Sequence, residues 1–369
     1  MKKIISCILV CLVICCSIAS IAVYAADNLT ITDNDVMAEL VSIKWLNNNY
    51  KDVYTIRNIQ ANTVRTFETN VSTKYYVTLT CETLLKFDDV EDLPFIQGMR
   101  EEMAETLEMS SVASTTIGAY IDDVESYIGQ YTPYCVNLVV EVPKDNANSV
   151  VLYYQDGQTT TLYSIDMLDV DIVAMKQDGR ETARGLIEAV ASIQGYATYD
   201  RIAARDYALT YTSNAAYCVD CGETSEEDEI CSNKLDSSKW NNTDYWVYGD
   251  PLLHGNCADY VSQAMHAGGI PVDAGLWDRY NDADNGWSWT EPNAQRSYML
   301  GKGYWEASTF AAANAGNIIC WVNGTSVYHV GMITLNDTVT HRYSAHTYDV
   351  QNCVFGSGMS CEYYVIETD

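Results

Sequence analysis

From Lys74 to Cys81 the chain alternates. Tyr75, Val77, Leu79 and Cys81 fall on one side, Thr78 and Thr80 on the other, the period-two pattern of a half-buried strand. Val136, Leu138, Val140 and Val142 repeat it. Val150 to Tyr154 and Thr160 to Ile165 flank Asp156-Gly157, a dipeptide suited to a tight turn, so a hairpin is expected there. Met37, Leu40, Val41 and Trp45 keep the spacing of one helical face, as do Met99, Met103 and Leu107. Residues 27–193 therefore read as an α+β unit, a helix packed on an antiparallel sheet. Cys81 and Cys135 stand where a disulfide would tie two of its strands. This unit holds no histidine and no catalytic constellation; it reads as an accessory domain for binding, spacing or regulation.

Gly195 is the expected hinge to a second α+β unit, residues 196–369. Tyr199 to Tyr211 reads as a helix, and Cys218 to Asp250 as an acidic surface loop pinned by cysteines. The stretch HGNCADYVSQAMHAGG (His254 to Gly269) reads as a second helix. Asn256 is a favourable N-cap, and Asp259 at the third position suits the positive end of the helix dipole. Tyr260, Val261, Ala264 and Met265 form a buried face, and Gly268-Gly269 supplies a stop. Cys257 is then the first helical residue. Unpaired backbone N–H groups there would lower its thiol pKa and could also hold an oxyanion. SVYHVGMITL (Ser326 to Leu335) reads as a strand with His329, Gly331 and Ile333 on one face. RYSAHTYDV (Arg342 to Val350) reads as the next strand, placing His346 beside His329. The candidate constellation is Cys257 as nucleophile, His329 as base and acid, and His346 as the residue that fixes the ring of His329. Against it stands the plain reading, a half-cystine and two structural histidines.

Composition narrows the setting. Lys2 and Lys3 precede an apolar run from Ile4 to Ala25 that ends in Val23-Tyr24-Ala25, so residues 1–25 read as a signal peptide, or an uncleaved anchor. Either reading exports the rest, to a secreted or cell-surface location, with membrane contact only if the leader stays. The net charge of −29 excludes nucleic acid as a natural partner. Thirteen cysteines include four in the leader, and the odd remainder of nine leaves one thiol over unless chains cross-link; Cys257 is the candidate. Cys218-x2-Cys221 with Cys231 faintly resembles a zinc site, but no second pair follows and disulfides fit better. NDADNG (Asn281 to Gly286) lacks the spacing of a calcium loop and reads as a solvated turn. Trp277, Trp287, Trp289, Trp305 and Trp321 gather near the motif and serve either packing or a sugar-stacking groove. No cofactor and no metal are expected.

The C-terminal half resembles the putative amidase domain family, relatives of the NlpC/P60 and CHAP cysteine amidohydrolases with a papain-like core. NCADYVSQAMHAGG is similar to its nucleophile motif, and YHVGMI and YSAHTYD to its histidine strand and the strand that follows. GNIICW (Gly316 to Trp321) stands where the family has a turn with Asp; here Asn317 replaces it. Asn256 and Asp259 likewise exchange the family's usual Asp and Asn. The resemblance implies the roles given above for Cys257, His329 and His346. It also implies hydrolysis of amide bonds in peptides, cell-wall peptides foremost. A non-catalytic relative that binds wall glycan or peptide, and an extracellular adhesion protein, remain the alternatives.

Overall fold

The computed structural model describes residues 34–106, 109–145, 149–189, 199–215, 218–219, 235–245, 256–278 and 288–366. The leader, Gly195, Cys221, Cys231, His254, residues 281–286 and Trp287 lie outside them. The fold is α+β with a mixed sheet.

Helix α1 (Asn34–Tyr50) leads into the long hairpin of β1 (Tyr54–Glu68) and β2 (Ser72–Leu85). The most buried stripe of α1 is Ala38, Ser42, Leu46 and Tyr50; Trp45, Val41, Leu40 and Met37 flank it half-buried. The face therefore lies one position round from the one read in the sequence. Small residues are the cause: Ala38 and Ser42 let the helix approach the sheet, and Ser42 returns its hydroxyl proton to the Ala38 carbonyl. β2 keeps the expected alternation, with Tyr75, Val77, Leu79 and Cys81 buried. β1 is an exposed edge, interrupted by two register shifts and carrying Arg57 and Arg65, which discourages pairing with another chain.

Helices α2 (Pro94–Glu105) and α3 (Ser111–Glu125) follow, then β3 (Thr132–Pro143), β4 (Val151–Gln155) and β5 (Tyr163–Ser164). β4 and β5 do pair, with Tyr154 opposite Tyr163, but residues 156–162 form the connection, so the turn is wider than Asp156-Gly157 alone. Asp156 shapes it by accepting the backbone N–H groups of Gln158 and Thr159. Helix α4 (Ile172–Ala189) crosses α2 at backbone contact. A Cβ on Gly98 would strike the Lys176 carbonyl, and one on Gly179 the Phe95 carbonyl. Cys81 carries a free thiol, so the disulfide expected between Cys81 and Cys135 does not form, although their strands are neighbours.

The C-terminal half contributes α5 (Arg201–Thr210), α6 (Cys257–Ala267), α7 (Pro292–Lys302), β6 (Trp305–Ser308), β7 (Ile318–Asn323), β8 (Ser326–Asn336), β9 (His341–Ala345), β10 (Val350–Phe355) and β11 (Cys361–Ile366). Asp200 caps α5 by accepting from Ala203 N–H. The three helices pack on one face of β7 and β8 around Val261, Met265, Ile318, Val330 and Met332.

Both halves join one eleven-stranded sheet in the order β1-β2-β3-β10-β9-β8-β7-β11-β6, with β4 and β5 branching from β3. The join is the parallel pairing of Cys353 on β10 with Cys135 on β3. A single core runs across it, from Leu46 and Leu79 to Ile333 and Phe355. At its centre Arg342 is fully buried. Its guanidinium donates to Thr83, Thr132 and Pro133 of the N-terminal half and to Thr340 of its own, and pairs with Asp337 at 3.4 Å. Tyr54 donates to the same carboxylate at 2.6 Å. Each donor has an acceptor, as a charge removed from water requires.

Candidate active site

Helix α6 begins at Cys257. The backbone N–H groups of Cys257, Ala258 and Val330 on β8 and the Thr347 hydroxyl stand near its sulfur and favour the thiolate. Donors near the sulfur at a helix start are what a thiolate or an oxyanion calls for. Burial outweighs them. Cys257 is enclosed, and desolvation pushes its thiol up to about 11 rather than below the ordinary range as the helix start alone predicts. The thiol is free, so it is no half-cystine in this structure.

Asn256 stands at the N-cap but its side chain makes no capping bond. Its amide spans two other groups instead, 3.2 Å from His346 Nδ1 and 3.4 Å from Asp259. Asp259 does more than face the helix dipole. It accepts from Trp289 Nε1 at 2.5 Å and Gln263 Nε2 at 2.9 Å, and burial raises its carboxyl to about 7. Ser262 accepts from Trp277 and Gln295 and donates to the Trp289 carbonyl. The polar letters of DYVSQ are thus interior bonding groups, and α6 is buried all round from Cys257 to Met265. Trp277, Trp289, Trp305 and Trp321 are all buried, which makes them packing residues and not the wall of an open groove. At the far end of α6 a Cβ on Gly268 would strike the Tyr199 ring, so this glycine serves close approach as well as termination.

His329 lies on β8 opposite Trp321, its ring 4.8 Å from the indole. Gly331 and Ile333 follow on the same face, as alternation predicts, while Val330 and Met332 face α6. Burial lowers the His329 ring to about 3, and its Nε2 is enclosed without a hydrogen-bond partner. Cys257 lies on the Val330 side of β8 and the His329 ring on the Trp321 side; the thiol and the imidazole are both neutral.

His346 sits one residue past the end of β9, in the turn before β10. It does not hold His329. Its Nε2 lies 2.6 Å from the Tyr211 carbonyl and its ring is stacked between Tyr260 and Trp240. Burial lowers this ring to about 3 as well, so it carries one proton, which goes to the Tyr211 oxygen. Nδ1 then needs a donor. The NH2 of Asn256, turned over, supplies it if the protonated Asp259 carboxyl donates to the Asn256 oxygen in return. In this structure His346 contacts Asn256, the residue that precedes the thiol, and the Tyr211 carbonyl.

Thr347 is the site residue that sequence reading missed. It accepts the Asn256 N–H at 3.2 Å, and its hydroxyl stands near the Cys257 sulfur, where it favours the thiolate. Its φ of 84° is left-handed, rare for a β-branched residue, and strain of ~1–3 kcal/mol at such a point is characteristic of functional turns. Asp156 was missed as a contact. From the loop before β5 it accepts Trp321 Nε1 at 3.1 Å and its carbonyl takes the Tyr343 hydroxyl, so the N-terminal half supports the indole against which His329 rests. Asn317 is buried with its Oδ1 unpartnered.

Residues 198–366, a little under half the chain, match the family model described as a putative amidase domain. The segment containing α5 to β11 is thus similar to that family, which suggests a hydrolase. No curated protein and no solved structure matches the chain.

Proposed function

We propose that the chain is an exported cysteine amidohydrolase with a papain-like C-terminal core, acting on amide bonds of cell-wall-type peptides. What supports this is a free thiol at the first turn of α6, beside backbone N–H groups and the Thr347 hydroxyl that favour its ionised form, with Val330 the residue next to His329 on β8. In the reaction, Sγ adds to the amide carbonyl carbon and its proton passes to His329. The C–N bond breaks as His329 returns that proton to the departing amine. Water, deprotonated by His329, then displaces the thiol from the acyl group. His346, through Asn256, and Thr347 hold the start of α6 in place. The test is release of free amine from purified peptidoglycan peptides by the full chain and by Cys257→Ala, with circular dichroism to show both are folded. Turnover that survives the substitution refutes the assignment.

A second reading rests on the same burial. A thiol raised to about 11 beside an imidazole lowered to about 3 favours a relative that binds wall peptide or glycan without cleaving it. Binding of the same peptides with no amine released, by the unmodified chain, supports that reading.

A further inference from the structure

A cavity of about 270 Å³ opens at the other end of the β8–β9 hairpin from Cys257. It lies between α2, the start of α4, Phe310 in the connection from β6 to β7, and His341 at the start of β9. Its volume is close to the ~300 Å³ at which small-ligand sites begin. Three features of its wall converge on one kind of occupant.

The interior is aromatic: Phe95, Phe310 and Phe355 line it, the Phe310 ring 4.0 Å from that of His341. The mouth is anionic. Asp166, Asp169, Asp171 and Asp178 all line it and all are exposed, and no Lys or Arg lines it among the described residues. Asp169 and Asp178 are raised by partial burial and by like charges, Asp166 for the first and Glu181 and Asp171 for the second. A cation placed at the mouth relieves that repulsion. The third feature is a pair of enclosed polar atoms with no partner, His341 Nε2 and Thr338 Oγ1, on residues each 6% exposed. Burial lowers the His341 ring to about 3, so it is neutral and holds one proton; with that proton on Nδ1, toward the Phe310 and Ala311 carbonyls, the unpartnered Nε2 is the bare nitrogen. Nε2 therefore presents a lone pair, and what it lacks is a donor.

A metal ion does not answer this description. Among the described residues no three His, Cys, Asp or Glu side chains converge to hold one. We propose that the cavity binds a small aliphatic amine with a second hydrogen-bond donor at its far end. The ammonium rests among the carboxylates, the stem lies against the phenylalanines, and the distal hydroxyl or amine donates to His341 Nε2. This site is separate from Cys257 and independent of the reading given to it.

The test uses the full chain with ¹⁵N-labelled histidine, of which the sequence has five, titrated with 5-amino-1-pentanol. The expected result is a saturable shift of the His341 ring nitrogens, assigned with His341→Gln. 1,5-Pentanediol, which lacks the charge, and pentylamine, which lacks the distal donor, should each bind at least tenfold more weakly. The double variant Asp169→Asn/Asp178→Asn, altered only at exposed positions, should bind the amino alcohol no better than the diol. No saturable shift, equal affinity for the diol, or unchanged binding by the double variant overturns the proposal. So does a Ca²⁺ titration that saturates the same signal.

Discussion

The Cys257 thiol should be slow to react in the resting protein, and the structure says by how much. With the thiol pushed up to about 11, only ~10⁻⁴ of it is ionised at pH 7, against ~3% for an ordinary cysteine near 8.5. That is a deficit of about 300-fold in attacking species. A more basic thiolate is a better nucleophile, and a Brønsted slope of ~0.4–0.5 over this interval returns about tenfold. The remainder is roughly 30-fold slower exchange, before any obstruction by the packing around the sulfur. The assay is reaction with 4,4′-dithiodipyridine, quenched by time and read by peptide mapping, so that Cys257 is separated from Cys81, Cys320 and Cys361. The rate should rise about tenfold per pH unit from 6 to 9, with no plateau. Thr347→Val removes a hydroxyl that favours the thiolate and should slow the reaction further at every pH, while Thr347→Ser should preserve it. A fast rate at neutral pH that levels off below pH 7 would mean that His329 already holds the proton in the resting state, and the burial argument would be wrong.

Arg342→Met strands Asp337 inside the core and should cost about 3–5 kcal/mol in urea unfolding; adding Asp337→Leu should recover part of it. Asp259, raised to about 7 from an unfolded value near ~3.9, is protonated more readily folded than unfolded. Its contribution is full below about pH 4 and is lost as pH rises through 7, on the order of 4 kcal/mol in all. The stability of the wild type relative to Asp259→Asn should fall along that window; parallel pH profiles refute the assignment. Gly179→Ala forces a methyl against the Phe95 carbonyl and should destabilise by about 1–3 kcal/mol, seen as a lower urea midpoint, whereas Gly185→Ala, with open space, should not.

What the sequence made legible was local. Period two located β2 because one face is buried and the other half-exposed; β8 is buried on both faces from His329 onward and shows in the sequence mainly as an apolar run. The first turn and the glycine stop of α6 follow from backbone rules that hold anywhere. The face of α1 was misplaced because its closest contacts are Ala38 and Ser42, which hydrophobicity undervalues. The state of Cys257 was misjudged because a helix start is visible in sequence and the enclosure of that start is not. His346 was placed beside the right elements but given the wrong partner, since the Tyr211 carbonyl carries no side-chain signature. Arg342 reads as an ordinary strand residue; its acceptors Thr83, Thr132 and Pro133 lie more than 200 residues away, and only the meeting of β3 with β10 brings them close.

That meeting has a consequence for how the protein can be processed. A protease that severs the peptide between α4 and α5 would cut covalent continuity but leave the interlocked strands and the Arg342 cluster whole. The two pieces should co-elute and unfold together, as a nicked single body does. The N-terminal portion is then no detachable pro-segment: release would demand unfolding of the catalytic candidate itself.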